Sequence, residues 1–273
     1  MGNNRGTHDG DIAEIEFVKK FNVNKKSEKF KNYLSKFEYD NIDNIYMIRV
    51  TTKQLSKLSN QHVMTRADSY LIKSNDSKLD NLLIKNDNYL DEQILKLNNI
   101  EFEHIKFSGV SIKMSDSNKF QILKMTPDSF YKIFNEYELG AGASVYCTKE
   151  EELEKNDSVY TGWHTSKQKI IDKYNKDIPS LLKLNEQISK SEEILIYKKL
   201  KTFSNKKMIE IINNDKHLQE IIFNGYHIYE EPYSASYFYK GNDIIELTYI
   251  PFSVTTGSGR SKGNFTIVLK PKK

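Results

Sequence analysis

Two short segments of the chain carry residue types suited to metal-assisted hydrolysis of a phosphodiester. Asp68 lies at the start of one apolar segment, and Ser111, Ile112 and Lys113 lie within another. Such hydrolysis requires hard oxygen ligands for a divalent metal ion, and a cation near the attacking water or the scissile phosphate. The carboxylate of Asp68 and the ammonium group of Lys113 are groups of these two kinds.

β-branched residues and alternating polarity predict a strand around each of these positions. In such a strand Ser111 and Lys113 share one face, while the side chain of Ile112 points into the core. Asp68 on the adjacent strand would then lie a few ångströms away, and the main-chain carbonyl of Ile112 is a further candidate metal ligand. The alternative interpretation is that Asp68 caps a strand and Lys113 extends from a sheet edge into solvent.

The order of a helix glutamate, a strand aspartate and an x-x-Lys strand resembles the PD-(D/E)xK nuclease superfamily, which includes most type II restriction endonucleases. In this chain the three elements are Gly10–Glu14, Ala67–Ile72 and Val110–Met114. The resemblance covers about half of the chain. It implies Mg²⁺ as the cofactor, double-stranded DNA as the substrate, and Asp68 and Glu14 as the metal-binding carboxylates.

One position departs from the superfamily pattern. Ser111 stands where most members have an acidic residue, although members with Gln, Asn or Ser there are known. A subset of four-base cutters has a QxK or NxK strip followed by a polar turn and a strand glutamine, and Gln121 is similarly placed. The resemblance therefore implies a water-mediated metal contact for Ser111 and a supporting polar role for Gln121. The alternative for Glu14 is an exposed helix carboxylate.

Candidate DNA contacts are basic or hydrogen-bonding residues outside the metal site. Arg66, two residues before Asp68, would lie near the scissile phosphate, and a surface ion pair is the alternative. The glycine-rich loop 256–263 offers backbone amides and hydroxyls, and Arg260 could reach a guanine edge from it. A flexible hairpin turn is the alternative there. The predicted DNA-contacting residues are Arg66, Gln121, Ser258, Arg260, Ser261 and Lys262.

The hydrophobic periodicity predicts an α/β (α+β) fold with a mixed sheet. The resemblance implies that this sheet is central and flanked by helices, as in the core of restriction endonucleases. The first helix is expected to begin near Asp11, whose carboxylate would cap it. Residues 120–124 are expected to form a hairpin with the strand that carries Lys113. Further helices are predicted over 127–137 and 172–214. Further strands are predicted over 44–50, 226–229, 236–239, 244–250 and 264–269.

The predicted organisation is a nuclease core over residues 1–145, followed by 146–273 within the same compact domain. The second part would supply a helical segment and a C-terminal β region that completes the sheet, recognises DNA, or does both. Duplex cleavage favours two active sites, so a homodimer is the expected assembly.

The composition limits the classes of protein. With 273 residues, 38% hydrophobic and 29% charged, the chain can bury a sizeable core, and wholesale disorder is excluded. No apolar run approaches the roughly 18 to 20 residues of a membrane-spanning helix. The N-terminal residues lack the apolar core of a signal peptide, and Cys147 is the one cysteine. These features predict a cytoplasmic protein, and the net charge of +4 is compatible with a polyanionic partner.

The leading hypothesis is therefore a type II restriction endonuclease that hydrolyses both strands of DNA at a short specific site. A structure-specific repair or mobile-element nuclease with the same core is one alternative. A non-catalytic DNA-binding protein with a degenerate nuclease core is another, suggested by the missing carboxylate at Ser111.

Overall fold

The computed structural model describes residues 5–50, 66–113, 120–241, 243–257 and 265–272, and the side chains of residues 5–8 are not described. The helices, in chain order, are α1 (Arg5–Asn24), α2 (Glu28–Leu34), α3 (Lys78–Lys85), α4 (Glu92–Leu97), α5 (Pro127–Phe134), α6 (Glu138–Ser144), α7 (Asn156–Gly162), α8 (Lys167–Tyr174), α9 (Lys190–Asn214) and α10 (Lys216–Gln219). Shorter helical turns are Ile42–Asn44, Glu150–Lys155, Pro179–Asn185 and Glu220–Asn224. The strands are β1 (Ile45–Arg49), β2 (Ser69–Lys73), β3 (Glu103–His104), β4 (Val110–Lys113), β5 (Leu123–Met125), β6 (Tyr237–Lys240), β7 (Asp243–Glu246), β8 (Phe252–Thr256) and β9 (Ile267–Pro271).

The chain divides into two compact units. The first unit combines Met1–Ser117 with Phe223–Tyr249, and the second combines Asn118–Ile222 with Ile250–Lys273. The boundary predicted at residue 145 falls inside the second unit. The reason is that strands β6 and β7, far along the chain, pair with strands of the first unit, and local sequence patterns do not reveal such long-range pairing.

A mixed sheet lies at the centre of the first unit. Its strands follow the order β1-β2-β4-β6-β7, and β3 pairs with β2. Strands β4 and β6 are parallel, whereas the other neighbouring pairs are antiparallel. The predicted α+β class with a mixed, helix-flanked sheet is therefore confirmed.

Both faces of this sheet are covered, as the alternation of β1 illustrates. Ile45 and Met47 are buried in a cluster with the α1 residues Phe17 and Phe21. Tyr46 and Ile48 are buried in a second cluster, with leucines of α3 and α4. Every residue of β1 except its last is therefore buried, which fixes the register of the strand.

Three predictions about these elements are wrong. The first helix begins at Arg5, so Asp11 lies within it and does not cap it. Residues 226–229 form turns, and Gly225 and His227 there have positive φ values, which a strand does not accommodate. The segment after residue 120 does not form a hairpin with β4, because β5 pairs with β9 while β4 pairs with β2 and β6.

The second unit is built on a separate three-stranded sheet, β5-β9-β8, and on the long helix α9. Helix α9 packs against α6 and β8. A Cβ on Gly142 of α6 would come within 2.4 Å of Ser204 Oγ on α9, so glycine permits the close approach of these helices. The helical prediction over 172–214 corresponds to the end of α8, a 3-10 turn and α9. None of the described helices is long and apolar enough to cross a membrane.

Candidate functional site

The backbone of Asp68 is held from both sides. Its N–H donates to the carbonyl of Val110 at 2.9 Å, and its carbonyl accepts from the N–H of Val50 at 2.9 Å. Asp68 therefore lies between the end of β1 and the start of β4, directly before the first residue of β2. The predicted strand around Asp68 therefore begins one residue after it, at Ser69.

A distant segment of the chain supports the residues around Asp68. The carbonyl of Tyr233 accepts hydrogen bonds from the N–H groups of Arg66 and Ala67, at 3.1 and 3.0 Å. The next carbonyl, of Ser234, lies so close to Gly109 that a Cβ there would approach it to 1.8 Å. Glycine at 109 thus allows this segment to reach the site, and a larger residue would displace it.

One oxygen of the Asp68 side chain accepts two hydrogen bonds and forms an ion pair with a lysine. Its Oδ2 accepts from the N–H of Ile112 at 2.6 Å and from Ser111 Oγ at 3.3 Å. Lys113 Nζ lies 3.6 Å from the same oxygen. The side chains of Asp68 and Lys113 are 25% and 26% exposed, so a ligand could reach both. The printed sequence thus contains a carboxylate and a lysine, 45 residues apart, that the fold brings into contact.

The arrangement follows from how β2 and β4 separate. Their ladder pairs Ser69 with Val110. Beyond that pair, the Asp68 carboxylate accepts the hydrogen bond that a backbone carbonyl would accept in a continued antiparallel ladder. The N–H and carbonyl of one strand residue point to the same side, so the Ile112 carbonyl, a predicted ligand, also faces the Asp68 side of β4.

The alternation predicted for β4 holds. Ile112 is 7% exposed and is buried in the cluster that faces α1. Ser111 and Lys113 lie on the other face of the strand. In the parallel pair of β4 and β6, Lys240 is the register partner of Lys113, so a second lysine lies on that face.

Glu14 reaches the site from helix α1. It precedes the buried residues Phe17, Val18 and Phe21 by three, four and seven positions, so it lies on the face of the helix that packs on the sheet. Its Oε2 accepts from Arg49 Nε at 2.8 Å, and Arg49 Nη2 lies 2.7 Å from the same oxygen. The exposed helix carboxylate proposed as an alternative is therefore not what the structure has.

The pKa of Glu14 links it to Asp68. Burial, and after it the negative charge of Asp68, raise the pKa of the Glu14 carboxyl, Arg49 opposes both effects, and the resulting pKa is about 7. The two carboxylates are thus close enough to repel each other. A cation between or beside them would relieve that repulsion.

Arg49 was not predicted to belong to the site. It is the last residue of β1, its side chain is 12% exposed, and its Nη2 also contacts Asp11 Oδ1 at 2.5 Å. Arginine is scarce in the chain, and Arg49 falls in a predicted strand. These two facts were the features of the sequence that could have indicated a role for Arg49 in the site. Which carboxylates it would meet could not be inferred, because they lie 35 and 38 positions away.

Arg66 has a supporting contact in the first unit. Its Nε donates to the carbonyl of Phe223 at 3.1 Å. Burial lowers the pKa of Arg66 to about 10, while Tyr229 and Asp68 oppose that change, so the guanidinium stays charged at neutral pH. Arg66 is partly buried where it makes this backbone contact, and its contact with DNA stays a prediction.

Of the other predicted DNA contacts, the structure describes Gln121. Gln121 is exposed and belongs to the second unit, just before β5. Ser258, Arg260, Ser261 and Lys262 lie outside the described residues. The strands on either side of them, β8 and β9, pair antiparallel.

A cleft of about 870 Å³ runs along α1 beside the end of β4. Lys113, Ile112 and Tyr239 line one part of it, and charged residues of α1, including Glu16 and Lys20, line another. The cleft gives Lys113 an open volume on its solvent side.

Comparisons with protein-family models and with curated proteins found no match for the chain. The proposal of a function therefore depends on the chemistry of the residues gathered around Asp68.

Proposed function

We propose that the chain is a Mg²⁺-dependent type II restriction endonuclease, acting in the cytoplasm as a homodimer on double-stranded DNA. The observation that carries the proposal is the contact of Asp68 Oδ2 with the Ile112 N–H and with Lys113, next to the half-buried carboxylate of Glu14. A carboxylate pair beside a lysine, at the point where two strands separate, meets the needs of phosphodiester hydrolysis.

The donor set fits Mg²⁺. The described contacts of Asp68 fall on Oδ2 and those of Glu14 on Oε2, which leaves one oxygen of each carboxylate for a cation. Hard oxygen ligands of this kind, completed by water, are what Mg²⁺ prefers. When bound, Mg²⁺ supplies neutralisation of the charge that develops on the scissile phosphate.

The protein residues would then divide the remaining tasks. The Ile112 N–H and Ser111 Oγ hold the Asp68 carboxylate in one orientation, and the Ser111 hydroxyl keeps lone pairs that can accept from a water. Lys113, with three donor hydrogens, orients the attacking water or stabilises the phosphate oxygens. Arg49 holds Glu14 at the site.

A specific observation supports a second candidate, a DNA-binding protein without hydrolytic activity. Ser111 donates to Asp68, and therefore adds no negative charge where a third carboxylate would stand. A site with too little charge for metal binding would leave a protein that binds DNA and does not cleave it.

Incubation of the full chain with phage DNA and Mg²⁺ tests the proposal. We expect discrete fragments, no cleavage in EDTA, and loss of cleavage in Asp68→Asn. The matched control is Asp40→Asn, because Asp40 is also bonded to a strand-terminal lysine, Lys73, at 2.7 Å, but lies at an exposed position.

The products separate the alternatives. Cleavage of branched or single-stranded DNA without discrete duplex fragments would favour a structure-specific nuclease. Duplex binding that persists in EDTA, with no hydrolysis in Mg²⁺, would favour the non-catalytic protein. Full activity in Asp68→Asn would remove Asp68 from the site.

A further inference from the structure

Helix α9 presents an exposed row of basic and polar side chains in the second unit. Lys198, Lys199, Thr202 and Lys206 are all exposed, and their spacings of three, four and seven place them on one face of the helix. We call Lys198, Lys199 and Lys206 the lysine row. The opposite face carries Ser204 and Met208, which are buried.

The lysine row is not neutralised by neighbouring carboxylates. None of its three members forms an ion pair with any residue that the structure describes. Other lysines nearby are paired: Lys183 contacts Glu192 at 2.7 Å, and Lys190 contacts Glu193 at 3.7 Å. Acidic residues near the start of α9 are thus engaged with other lysines, and the row keeps its positive charge.

The row borders a groove of about 640 Å³ between α9 and residues 177–180. Ile178 and Phe203 supply apolar walls, and Asp177 is the one acidic residue that lines the groove. The groove therefore offers three ammonium groups and the hydroxyl of the exposed residue Thr202 against one carboxylate among its described lining residues.

We infer that this groove binds the phosphodiester backbone of DNA, a contact that rests on the nuclease function proposed above and lies on the second unit. Lys199 and Lys206 are separated by about 10 Å along the helix axis, at ~1.5 Å per residue. One strand of duplex DNA has a phosphate every ~3.4 Å along its axis, so the row spans about three nucleotides.

The chemistry favours a nucleic acid over an acidic protein partner. Three lysines and four apolar residues line the groove, and its described lining contains neither arginine nor tryptophan, residues that dominate the energetics of protein interfaces. Lysine acts as a point charge towards phosphate and does not read base edges as a bidentate arginine does. The contact would therefore be independent of DNA sequence and sensitive to salt.

Fluorescence anisotropy of a labelled duplex, with Ca²⁺ in place of Mg²⁺, tests the inference on the full chain. The variant replaces all three lysines (K198Q, K199Q and K206Q), and we expect about tenfold weaker binding near 0.1 M salt. The slope of log affinity against log salt should fall by about two to three, at ~0.9 per phosphate contact. The loss should be equal for specific and unrelated sequences.

The matched control replaces three other exposed lysines of the same unit: K132Q, K149Q and K216Q. It removes the same net charge, and we expect an affinity change below about twofold. An equal loss in the control would contradict the inference, since net charge alone would then account for it. The exposure of all six lysines means that thermal unfolding should be unchanged in both variants.

The outcomes distinguish this inference from the proposed function. If the unmodified chain binds and cleaves duplex DNA while the triple variant keeps its affinity and salt slope, the inference is wrong and the nuclease proposal stands. If the unmodified chain binds no duplex, both fail. Binding to vesicles of phosphatidylcholine and phosphatidylserine, without duplex binding, would overturn the inference in favour of an anionic membrane surface.

Discussion

In the first unit, Arg49 and Lys113 lie 2.7 and 3.6 Å from the carboxylates of Glu14 and Asp68. In the second unit, the lysine row lies on an exposed helix face, and the described residues provide it with no ion-pair partner. The same kinds of side chain thus have two physical roles. Paired cations fix the geometry and protonation of a site, whereas unpaired cations create a field that attracts a polyanion.

The difference between paired and unpaired cations predicts which measurement responds when each is replaced. Changing a paired, partly buried cation should alter chemistry, stability or pH dependence, and should have little effect on the salt dependence of binding. Changing the lysine row should alter the salt dependence of DNA binding and should have little effect on chemistry, stability or pH dependence.

The largest expected effect is on cleavage. We predict that Lys113→Met lowers kcat about 100- to 1000-fold, because the transition-state charge loses the ammonium group beside Asp68. Affinity for DNA should change less than about threefold. Lys73→Met is the matched control, since Lys73 also ends a strand and contacts an aspartate, and its kcat should stay near that of the unmodified chain. Equal kcat values for the two variants would remove Lys113 from the reaction.

The next effect is on stability. We predict that Arg49→Met lowers the free energy of unfolding by about 2 to 4 kcal/mol, because it leaves the half-buried Glu14 and its neighbour Asp11 without their shared cation. Urea denaturation in EDTA measures this. Lys19→Met removes an ion pair with the exposed Asp87, and should lower the free energy of unfolding by much less than Arg49→Met does. A similar cost for both variants would mean that the Arg49 pair contributes no more than an exposed one.

A pH effect should follow from Glu14. Its folded pKa of about 7 lies above the ordinary value of 4.5, so the folded state holds the proton more tightly than the unfolded state. Stability should therefore fall as pH rises from about 4.5 to about 7, by roughly 3 kcal/mol, and then level off. Below that window both states are protonated, and above it both are ionised.

Urea denaturation at pH 5 and pH 8 in EDTA checks this, with Glu14→Gln as the comparison. The free energy of unfolding of the unmodified chain should fall from pH 5 to pH 8, and that of the glutamine variant should fall less, because it has no carboxyl at position 14 to ionise. Parallel pH dependence in the two proteins would contradict the raised pKa of Glu14.

The smallest expected effect concerns salt. Lys113 already has a carboxylate partner, so Lys113→Met should change the slope of log affinity against log salt by less than about one. The triple variant of the lysine row should change it by more. If Lys113→Met changed this slope more than the triple variant did, the paired lysine would contribute more to the salt dependence of binding than the lysine row, contrary to the comparison made above.

Local patterns in the sequence determined several features of the site. The alternation of Ser111, Ile112 and Lys113 follows from the two-residue period of a strand, and the structure has it. The spacing of Glu14 from Phe17 and Phe21 can be read from the printed sequence in the same way, since a helix repeats every ~3.6 residues. Fold class was predictable for the same reason, because hydrophobic periods reflect helices and half-buried strands.

Only the tertiary structure decided which distant segments meet. The pairing of Arg49 with Glu14, and the support that Tyr233 gives to the residues before Asp68, join positions far apart in the chain. The assignment of β5 to a separate sheet, and of β6 to the first, was also beyond local patterns. A strand's period fixes which of its side chains share a face, but it does not specify the neighbouring strand. That choice depends on how apolar surfaces from the whole chain are buried together, and it is what brings Asp68, Glu14 and Lys113 into one site.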